Sequence, residues 1–319
     1  MLVNSLRNFC KQRTETSVKH RLTLAVSLLS LTVFSGIGLT GCNSGAGTET
    51  GKQASSDNAS IVVQGSDTME EMVREWANGF MTDNKGVQVT VQSGDTGSGI
   101  TGLIEGKIDL ASASRELTEE ENKLAHARKI HLRRHMVARD AIAVIVNPQN
   151  DIDEIGLDDL RKVYSGEIST WDQLVKGAKQ EPIRVFGRES SSGTSDYFKE
   201  HVMGDKSFAS EVKLMPSSEA VIGAVYGNRL GIGFVGMSQA RANNKQVKIL
   251  ELSLRTVKIK EPAVGEAASA LSADTYPLSR PLYLYYDNSR EPKLRPILQY
   301  VQSEKGRKVV ESRGFMTSP

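Results

Sequence analysis

The chain has 319 residues, of which 24% are charged, and a formal net charge of +2 at pH 7. Residues 1–41 contain five basic residues and one acidic residue, so the remaining 278 residues carry 35 basic and 37 acidic residues and a net charge of −2. This balance argues against a nucleic-acid-binding protein, and two cysteines, Cys10 and Cys42, are too few for a disulfide framework.

Residues 1–41 have the composition of a secretory signal peptide: a basic start followed by an apolar stretch from Leu22 to Leu39. The stretch is short of the about 20 apolar residues that a transmembrane helix needs. It ends in Leu39-Thr40-Gly41-Cys42, which resembles the lipobox of bacterial lipoproteins. That resemblance implies cleavage before Cys42, acylation of its sulfur, and a membrane anchor. Residues 42–60 are almost without apolar side chains and are predicted to be a flexible tether.

Residues 61–319 alternate between strand-like and helix-like segments, which predicts an α/β fold with mostly parallel sheets. About 260 residues are enough for two lobes. The predicted strands are 61–63, 87–91, 108–110, 141–146, 183–186, 230–235 and 281–286. The predicted helices start at Asp67 and Ile100 and then cover 157–164, 194–202, 218–226 and 294–312.

Three strand-to-helix junctions share one chemistry. They are Gly65–Met69 (GSDTM), Ser93–Gly99 (SGDTGSG) and Arg188–Thr194 (RESSSGT). A helix N-terminus presents unpaired N–H groups and a partial positive charge, and Ser and Thr hydroxyls add further donors. Arg188 adds a guanidinium fork suited to two oxygens of a tetrahedral anion. Each junction alone is explained as well by helix capping, but the three together with an arginine predict an anion site.

These motifs lie within a longer resemblance that covers nearly all of residues 60–319. The chain resembles the phosphate-binding lipoproteins of Pst-type ABC importers, in the type II periplasmic-binding-protein superfamily. The matching stretches are Gly65–Met69, Gly94–Leu103, Ile108–Leu117, Ala141–Pro148, Val163–Leu174, Arg188–Thr194, Tyr276–Tyr283 and Glu304–Phe315.

The resemblance implies a two-lobe fold with a ligand cleft between the lobes, one formed by about 61–146 plus 281–319 and the other by about 147–280. It also implies a monomeric, extracytoplasmic binding protein in the periplasm or at the cell surface, without a cofactor or catalytic activity. Its partners would be inorganic phosphate and the permease and ATPase subunits of an importer. The implied phosphate-binding residues are Thr68, Met69, Thr96, Ser114, Arg188, Ser192, Gly193 and Thr194.

Ser114 is a departure from the family pattern. The best-known members have an aspartate there, which accepts the proton of phosphate and so rejects sulfate. A serine does not repel a fully ionised anion, so Asp67 and Asp95 are candidate proton acceptors, with helix capping as the alternative role. Receptors for sulfate, arsenate or molybdate, and a phosphate-sensing lipoprotein, therefore stay open as alternatives.

Three enzyme classes are also considered. Gly97–Gly102 fits the G-x-G-x-x-G pattern of dinucleotide-binding enzymes, but the strand before it is half polar. The triplet Asp95–Gly97 (DTG) has no second copy, which an aspartic protease requires. His126, His131 and His135 lie among four basic residues, which favours a solvated surface over a metal site, and no hydrolase motif is present.

Overall fold

The computed structural model describes residues 59–254, 257–259 and 276–318. The predicted signal peptide, Cys42 and nearly all of the tether lie outside these residues. The strands are β1 (Ala59–Gly65), β2 (Val87–Gln92), β3 (Leu110–Ala113), β4 (Leu132–Val146), β5 (Glu154–Gly156), β6 (Arg184–Arg188), β7 (Lys213–Met215), β8 (Gly231–Gly236), β9 (Lys248–Ile249), β10 (Glu251–Leu254), β11 (Val257–Ile259), β12 (Ser279–Asp287) and β13 (Met316–Thr317). The helices are α1 (Glu70–Asp83), α2 (Thr96–Ile104), α3 (Glu119–Ala127), α4 (Leu157–Tyr164), α5 (Gly193–Phe198), α6 (Ser218–Tyr226), α7 (Met237–Ala242), α8 (Glu291–Gln302) and α9 (Glu304–Ser312).

One long strand, β4, joins the two halves of the main sheet. The strand order is β2-β1-β3-β12-β4-β8-β6-β7, with β9 and β13 also paired to β4. The first part of β4, from Leu132 to Ala141, pairs with β12, and the last part, from Ile142 to Val146, pairs with β8. A second sheet has the order β11-β10-β5. The α/β two-lobe fold predicted from the sequence is confirmed.

The prediction of mostly parallel sheets is wrong at the centre of the molecule. Strand β1 pairs in parallel with β2 and β3, and β6 pairs in parallel with β7 and β8. The pairs of β4 with β8 and β12, and of β12 with β3, are antiparallel. The reason is the chain path: β4 leaves one half of the sheet and β12 returns beside it in the opposite direction.

The buried apolar side chains form three clusters. The largest takes Ala141–Val146 of β4 together with side chains from α4, α5, α6 and β8. The second packs α1, α8 and α9 against β1 and β12, and the third packs α2 against β3 and the tyrosines of β12. The lobe boundaries at 146/147 and 280/281 stay predictions.

Four predicted helices differ from the observed bounds. Helix α2 begins at Thr96, four residues before the predicted start at Ile100, and α5 ends at Phe198, with Lys199–Met203 forming a separate π-helical turn. Helix α1 begins at Glu70, three residues after the predicted start, and the predicted helix 294–312 is two helices, α8 and α9. The break lies at Ser303, whose hydroxyl accepts a hydrogen bond from the N–H of Gly306 and so caps α9. Within the described parts of the chain, no helix combines the length and the apolar composition needed to cross a bilayer.

Candidate functional site

The first junction follows β1. This strand ends at Gly65, where φ is 149° and a Cβ atom would lie 2.0 Å from the carbonyl oxygen of Ser112 in β3. Only glycine permits this approach, which places Thr68 just beyond the ends of β1 and β3. Met69 has its side chain buried in the second apolar cluster, and its N–H donates to the carbonyl of Ser66 at 3.0 Å. The backbone donor expected from Met69 is therefore already used in a turn.

The second junction opens α2 with a capping box. Asp95 Oδ1 accepts from the N–H of Ser98 at 2.8 Å, and Ser98 Oγ accepts from the N–H of Asp95 at 3.0 Å. Asp95 thus fills the capping role that was the alternative to proton acceptor. Thr96, the first residue of α2, is buried, and its hydroxyl oxygen accepts from the N–H of Ser114 at 3.2 Å.

The third junction opens α5 in the other half of the sheet. Ser192 is the N-cap, and its hydroxyl accepts from the N–H of Ser195 at 3.4 Å. The hydroxyl of Ser195 donates to the carbonyl of Arg188 at 3.0 Å, which holds the loop against the end of β6. Gly193 and Thr194, the first two residues of α5, are buried beneath this loop.

These three junctions meet. Thr68 Oγ1 lies 3.3 Å from Thr194 Oγ1, and Thr96 Oγ1 lies 3.4 Å from Ser114 Oγ. A Cβ atom at Gly193 would lie 2.4 Å from Thr96 Oγ1 and 2.7 Å from Ser114 Oγ. The structure therefore places Thr68, Thr96, Ser114, Gly193 and Thr194 in one cluster of hydroxyl and backbone groups.

Arg188 lies beside this cluster at the carboxyl end of β6, with its side chain 1% exposed. Its guanidinium donates to Asp67 Oδ2 at 2.8 Å, Ser218 Oγ at 2.8 Å, and the carbonyls of Met215 and Pro216. These bonds use four of its five N–H groups. Asp67 Oδ2 also accepts from the N–H of Ser218 at 2.9 Å. Asp67 is thus the counter-ion of Arg188, and the pair joins the first and third junctions.

A second buried arginine was missed in the sequence. Arg280 lies in β12, opposite Asp140 in β4. Its side chain is 0% exposed and donates to Thr194 Oγ1 at 2.8 Å, to Thr68 Oγ1 at 3.2 Å and to Asp140 Oδ2 at 3.0 Å. The sequence did carry a signal, because Asp140 and Arg280 each directly precede a predicted strand, 141–146 and 281–286, and are buried with it.

Arg115 forms a contact between the two sides of the cluster. It donates to both carboxylate oxygens of Glu121, at 2.7 and 2.8 Å, and from Nε to Asp196 Oδ2 in α5 at 2.8 Å. Burial lowers the pKa of Arg115, but the hydrogen bonds and charges of Glu121 and Asp196 outweigh this and raise its pKa above the ordinary value. Arg115 is therefore a fixed cation that directly follows Ser114.

An open groove of about 650 Å³ runs along the outer side of the cluster, lined by Gly97, Ser98, Arg115, Ser190, Ser191 and Asp196 among others. Two of these lining residues are hydrogen-bonded to each other, since the N–H of Gly97 donates to the carbonyl of Ser191 at 3.0 Å. Among the residues with described positions, no three His, Cys, Asp or Glu side chains gather in a way that could hold a metal ion. The donor-rich cluster is suited to an anion.

Comparison with known proteins identifies the family. The family model described as a PBP superfamily domain matches residues 49–305, which is most of the chain. The chain belongs to the PBP superfamily. The resemblance given by its sequence motifs is thus confirmed at the level of the family.

Among curated PBP-type relatives, the phosphate-binding protein PstS of Staphylococcus saprophyticus is 28% identical over 285 residues, covering 87% of this chain and 85% of the relative. A crystal structure from Clostridium perfringens, described as a phosphate ABC transporter substrate-binding protein with bound phosphate, is 24% identical with a TM-score of 0.70 and covers 82% of this chain and all of that one. An ABC-type phosphate transport receptor from Vibrio cholerae is 24% identical with a TM-score of 0.63, covering 81% of this chain and all of that one. At this identity the structures establish the shared fold.

Proposed function

We propose that this protein binds inorganic phosphate reversibly between its two lobes and delivers it to the permease and ATPase subunits of an ABC-type importer. The staphylococcal relatives carry the name phosphate-binding protein, and the Clostridium perfringens structure contains phosphate. On this proposal the protein acts outside the cytoplasm as a monomeric receptor, without a cofactor and without catalysis.

The observation that carries the proposal is a donor cluster built from both halves of the sheet. Hydroxyls of Thr68, Thr96 and Ser114 on one side face Gly193 and Thr194 on the other. A tetrahedral oxyanion offers several acceptor oxygens to such a set. Arg188 lies next to it with its charge balanced by Asp67, and one of its five N–H groups donates to no acceptor among the described residues.

A second candidate ligand is another oxyanion, of which sulfate is the nearest in shape. It is favoured by Ser114, which occupies the position of the family aspartate and lies within the cluster at 3.4 Å from Thr96. A hydroxyl can donate to a fully ionised anion as well as accept from a protonated one. Selectivity for phosphate then depends on a carboxylate elsewhere, for which Asp67 is the better placed of the two predicted acceptors because it binds Arg188 directly.

The membrane anchor at Cys42 is part of the same proposal and rests on the Leu-Thr-Gly-Cys motif. Anchoring would keep the receptor beside the permease that it supplies. We expect Cys42→Ser to abolish palmitate labelling and to release the protein from membranes or leave it unprocessed. Undiminished labelling of the variant in the membrane fraction would rule the anchor out.

The test is calorimetric titration of the protein without its predicted signal peptide and lipid anchor, starting after Cys42. The ligands are phosphate, sulfate, arsenate and molybdate. We expect tight phosphate binding, and weaker binding by Arg188→Lys. Charge-assisted hydrogen bonds are worth about 1.5–3 kcal/mol each, so at least about a tenfold rise in Kd is expected.

Arg184→Gln is the matched control, because Arg184 lies on the same strand with its side chain exposed. Thermal unfolding without ligand verifies that each variant is folded. Absence of phosphate binding by the wild-type protein would refute the proposal, and an unchanged Kd for a folded Arg188→Lys variant would refute the assigned site.

A further inference from the structure

Arg280 is the most deeply buried cation among the described residues, and it lies outside the three helix junctions. It lies on β12, the strand that returns the chain between the lobes. Its only charged partner among the described residues is Asp140, whose side chain is 1% exposed, at 3.0 Å. Burying an arginine and its one balancing carboxylate costs desolvation free energy, which favours a functional role for the pair.

The hydrogen bonds of Arg280 fix the direction in which two threonine hydroxyls can donate. A guanidinium only donates, so Thr68 Oγ1 and Thr194 Oγ1 must both act as acceptors toward Arg280. Each hydroxyl then has one proton left to donate. The two oxygens lie 3.3 Å apart, and only one of the two protons can serve that contact.

One threonine proton is therefore left without an acceptor among the described residues. Arg280 Nε is in the same condition, since it is fully buried and has no partner there. Buried donors that lack a partner are rare in proteins, because each costs the free energy of its lost hydration. A ligand that offers several acceptors and no obligatory donor would satisfy them, and an oxyanion is such a ligand.

From these contacts we infer that Arg280 is a second arginine of the anion site, which binds the anion and orients the hydroxyls of Thr68 and Thr194 toward it. Asp140 holds the guanidinium in place and balances its charge when the site is empty. This inference rests on the proposed function, because it adds a binding residue to the same cleft. Arg280, which lies outside the three helix junctions, then contributes to the specificity for acceptor-rich anions.

The first test is Arg280→Lys, titrated with inorganic phosphate. Lysine keeps the charge beside Asp140, so the buried carboxylate stays paired, but it lacks the fork that reaches both threonines. We expect Kd to rise at least tenfold while the melting temperature without phosphate changes little. Arg184→Gln, an exposed arginine outside the cluster, should leave Kd unchanged.

The second test asks whether Arg280 acts through the threonine hydroxyl. Thr194→Val removes the hydroxyl with little change in shape, and the double variant with Arg280→Lys completes a cycle. Because both changes disrupt the same donor arrangement, the double variant should lose clearly less affinity than the product of the two single losses. Independent, multiplicative losses would overturn the orienting role.

The outcomes separate this inference from the proposed function. If the wild-type protein binds phosphate and Arg280→Lys binds it with the same Kd, the inference fails and the proposed function stands. If the wild-type protein binds no phosphate, the proposed function fails. Should Arg280→Lys prove unstable, Arg280→Gln combined with Asp140→Asn removes both charges together, and unchanged affinity in that folded variant would equally overturn the inference.

Discussion

Gly193 lies where the two halves of the site pack against each other, and adding a single methyl group there should separate them. A Cβ atom at this position would lie 2.4 Å from Thr96 Oγ1, 2.7 Å from Ser114 Oγ and 2.9 Å from Thr96 Cβ. All of these atoms are buried. Thr96 and Ser114 belong to α2 and the end of β3, whereas Gly193 opens α5, so the clash acts across the cleft.

The size of the effect follows from these distances. Non-bonded heavy atoms reach their best separation near about 3.5 Å, so Thr96 Oγ1 would have to move by about 1 Å. A shift of that size breaks or weakens the hydrogen bonds of both hydroxyls to a bound anion. At about 1.5–3 kcal/mol for each charge-assisted bond, Gly193→Ala should cost about 3 kcal/mol or more, which is roughly a hundredfold rise in Kd.

Hinge closure around a ligand is the usual movement of two-lobe binding proteins. The clash exists only when the two sides are in contact, so the ligand-free protein should tolerate the alanine. Without phosphate, we expect the Gly193→Ala variant and the wild type to have similar melting temperatures. When phosphate is added, the melting temperature of the variant should rise much less than that of the wild type. Gly223→Ala is the control, because no atom lies within 4 Å of a Cβ atom at that helical position.

Calorimetry of both variants and thermal unfolding with and without phosphate measure these effects. A Gly193→Ala variant that binds phosphate as tightly as Gly223→Ala would refute the reasoning, because it would mean that Thr96 and Ser114 do not face Gly193 in the liganded protein. A large drop in the melting temperature without phosphate would place the clash in the ligand-free fold instead.

Two further predictions concern carboxylates. Asp67→Asn should let sulfate compete with phosphate at least about tenfold better, since an amide does not repel a fully ionised anion. Asp95→Asn should leave this competition unchanged, because Asp95 serves as a helix cap. Titration of phosphate in the presence of sulfate measures both effects. Burial raises the pKa of Asp109, but the hydrogen bond and charge of Lys293, the N–H of Val62 and the charge of Arg290 lower it more. Because the folded pKa is the lower one, the unfolded state takes up the proton first, and this contribution to stability is present above about pH 4 and lost below it. Asp109→Asn should lower the free energy of unfolding by about 1–3 kcal/mol at pH 7 and flatten its decline below pH 4, as measured by urea titration; an unchanged value at pH 7 would contradict this.

The helices with strong local signals could be predicted from the sequence. Helices α4 and α6 have the predicted bounds, 157–164 and 218–226, because each has a clear apolar face and a small polar or glycine residue before it. Helix α3 was missed because Ala125 is its one buried residue, so it has almost no apolar face to recognise. The early part of β4 was missed for a similar reason, since its side chains are mostly polar and partly exposed.

In the candidate site, too, only the residues that lie in local motifs could be predicted. Arg188 and the three helix junctions stand in motifs that a local pattern can reveal. Arg280 and Asp140 each directly precede an apolar segment of a strand, 140 positions apart in the sequence, and only the pairing of β12 with β4 brings them together. The motif shows that Met69 belongs to the first junction, but it does not show that the Met69 N–H donates to Ser66. That turn depends on the hydrogen bond between Ser66 and Ser112 of β3.

The pairing of β12 with β4 also has a consequence for the order in which the protein can fold. Strand β12 lies between β3 and β4, yet Ser279 follows its partner Ala141 by 138 positions. During synthesis or export the segments up to β4 therefore emerge long before the strand that separates β3 from β4. Until then both strands have an unpaired edge, which is a site for pairing with other chains.

The largest apolar cluster, in contrast, is formed mainly by one continuous stretch from Ala141 to Leu252. Its contacts can form as that stretch emerges, whereas the half with β1 to β3 must wait for the C-terminal strand and helices. A nascent chain that stops before β12 would be half complete and prone to aggregation. Because Arg280 lies on this late strand, the candidate anion site is completed only after β12 has paired with β4.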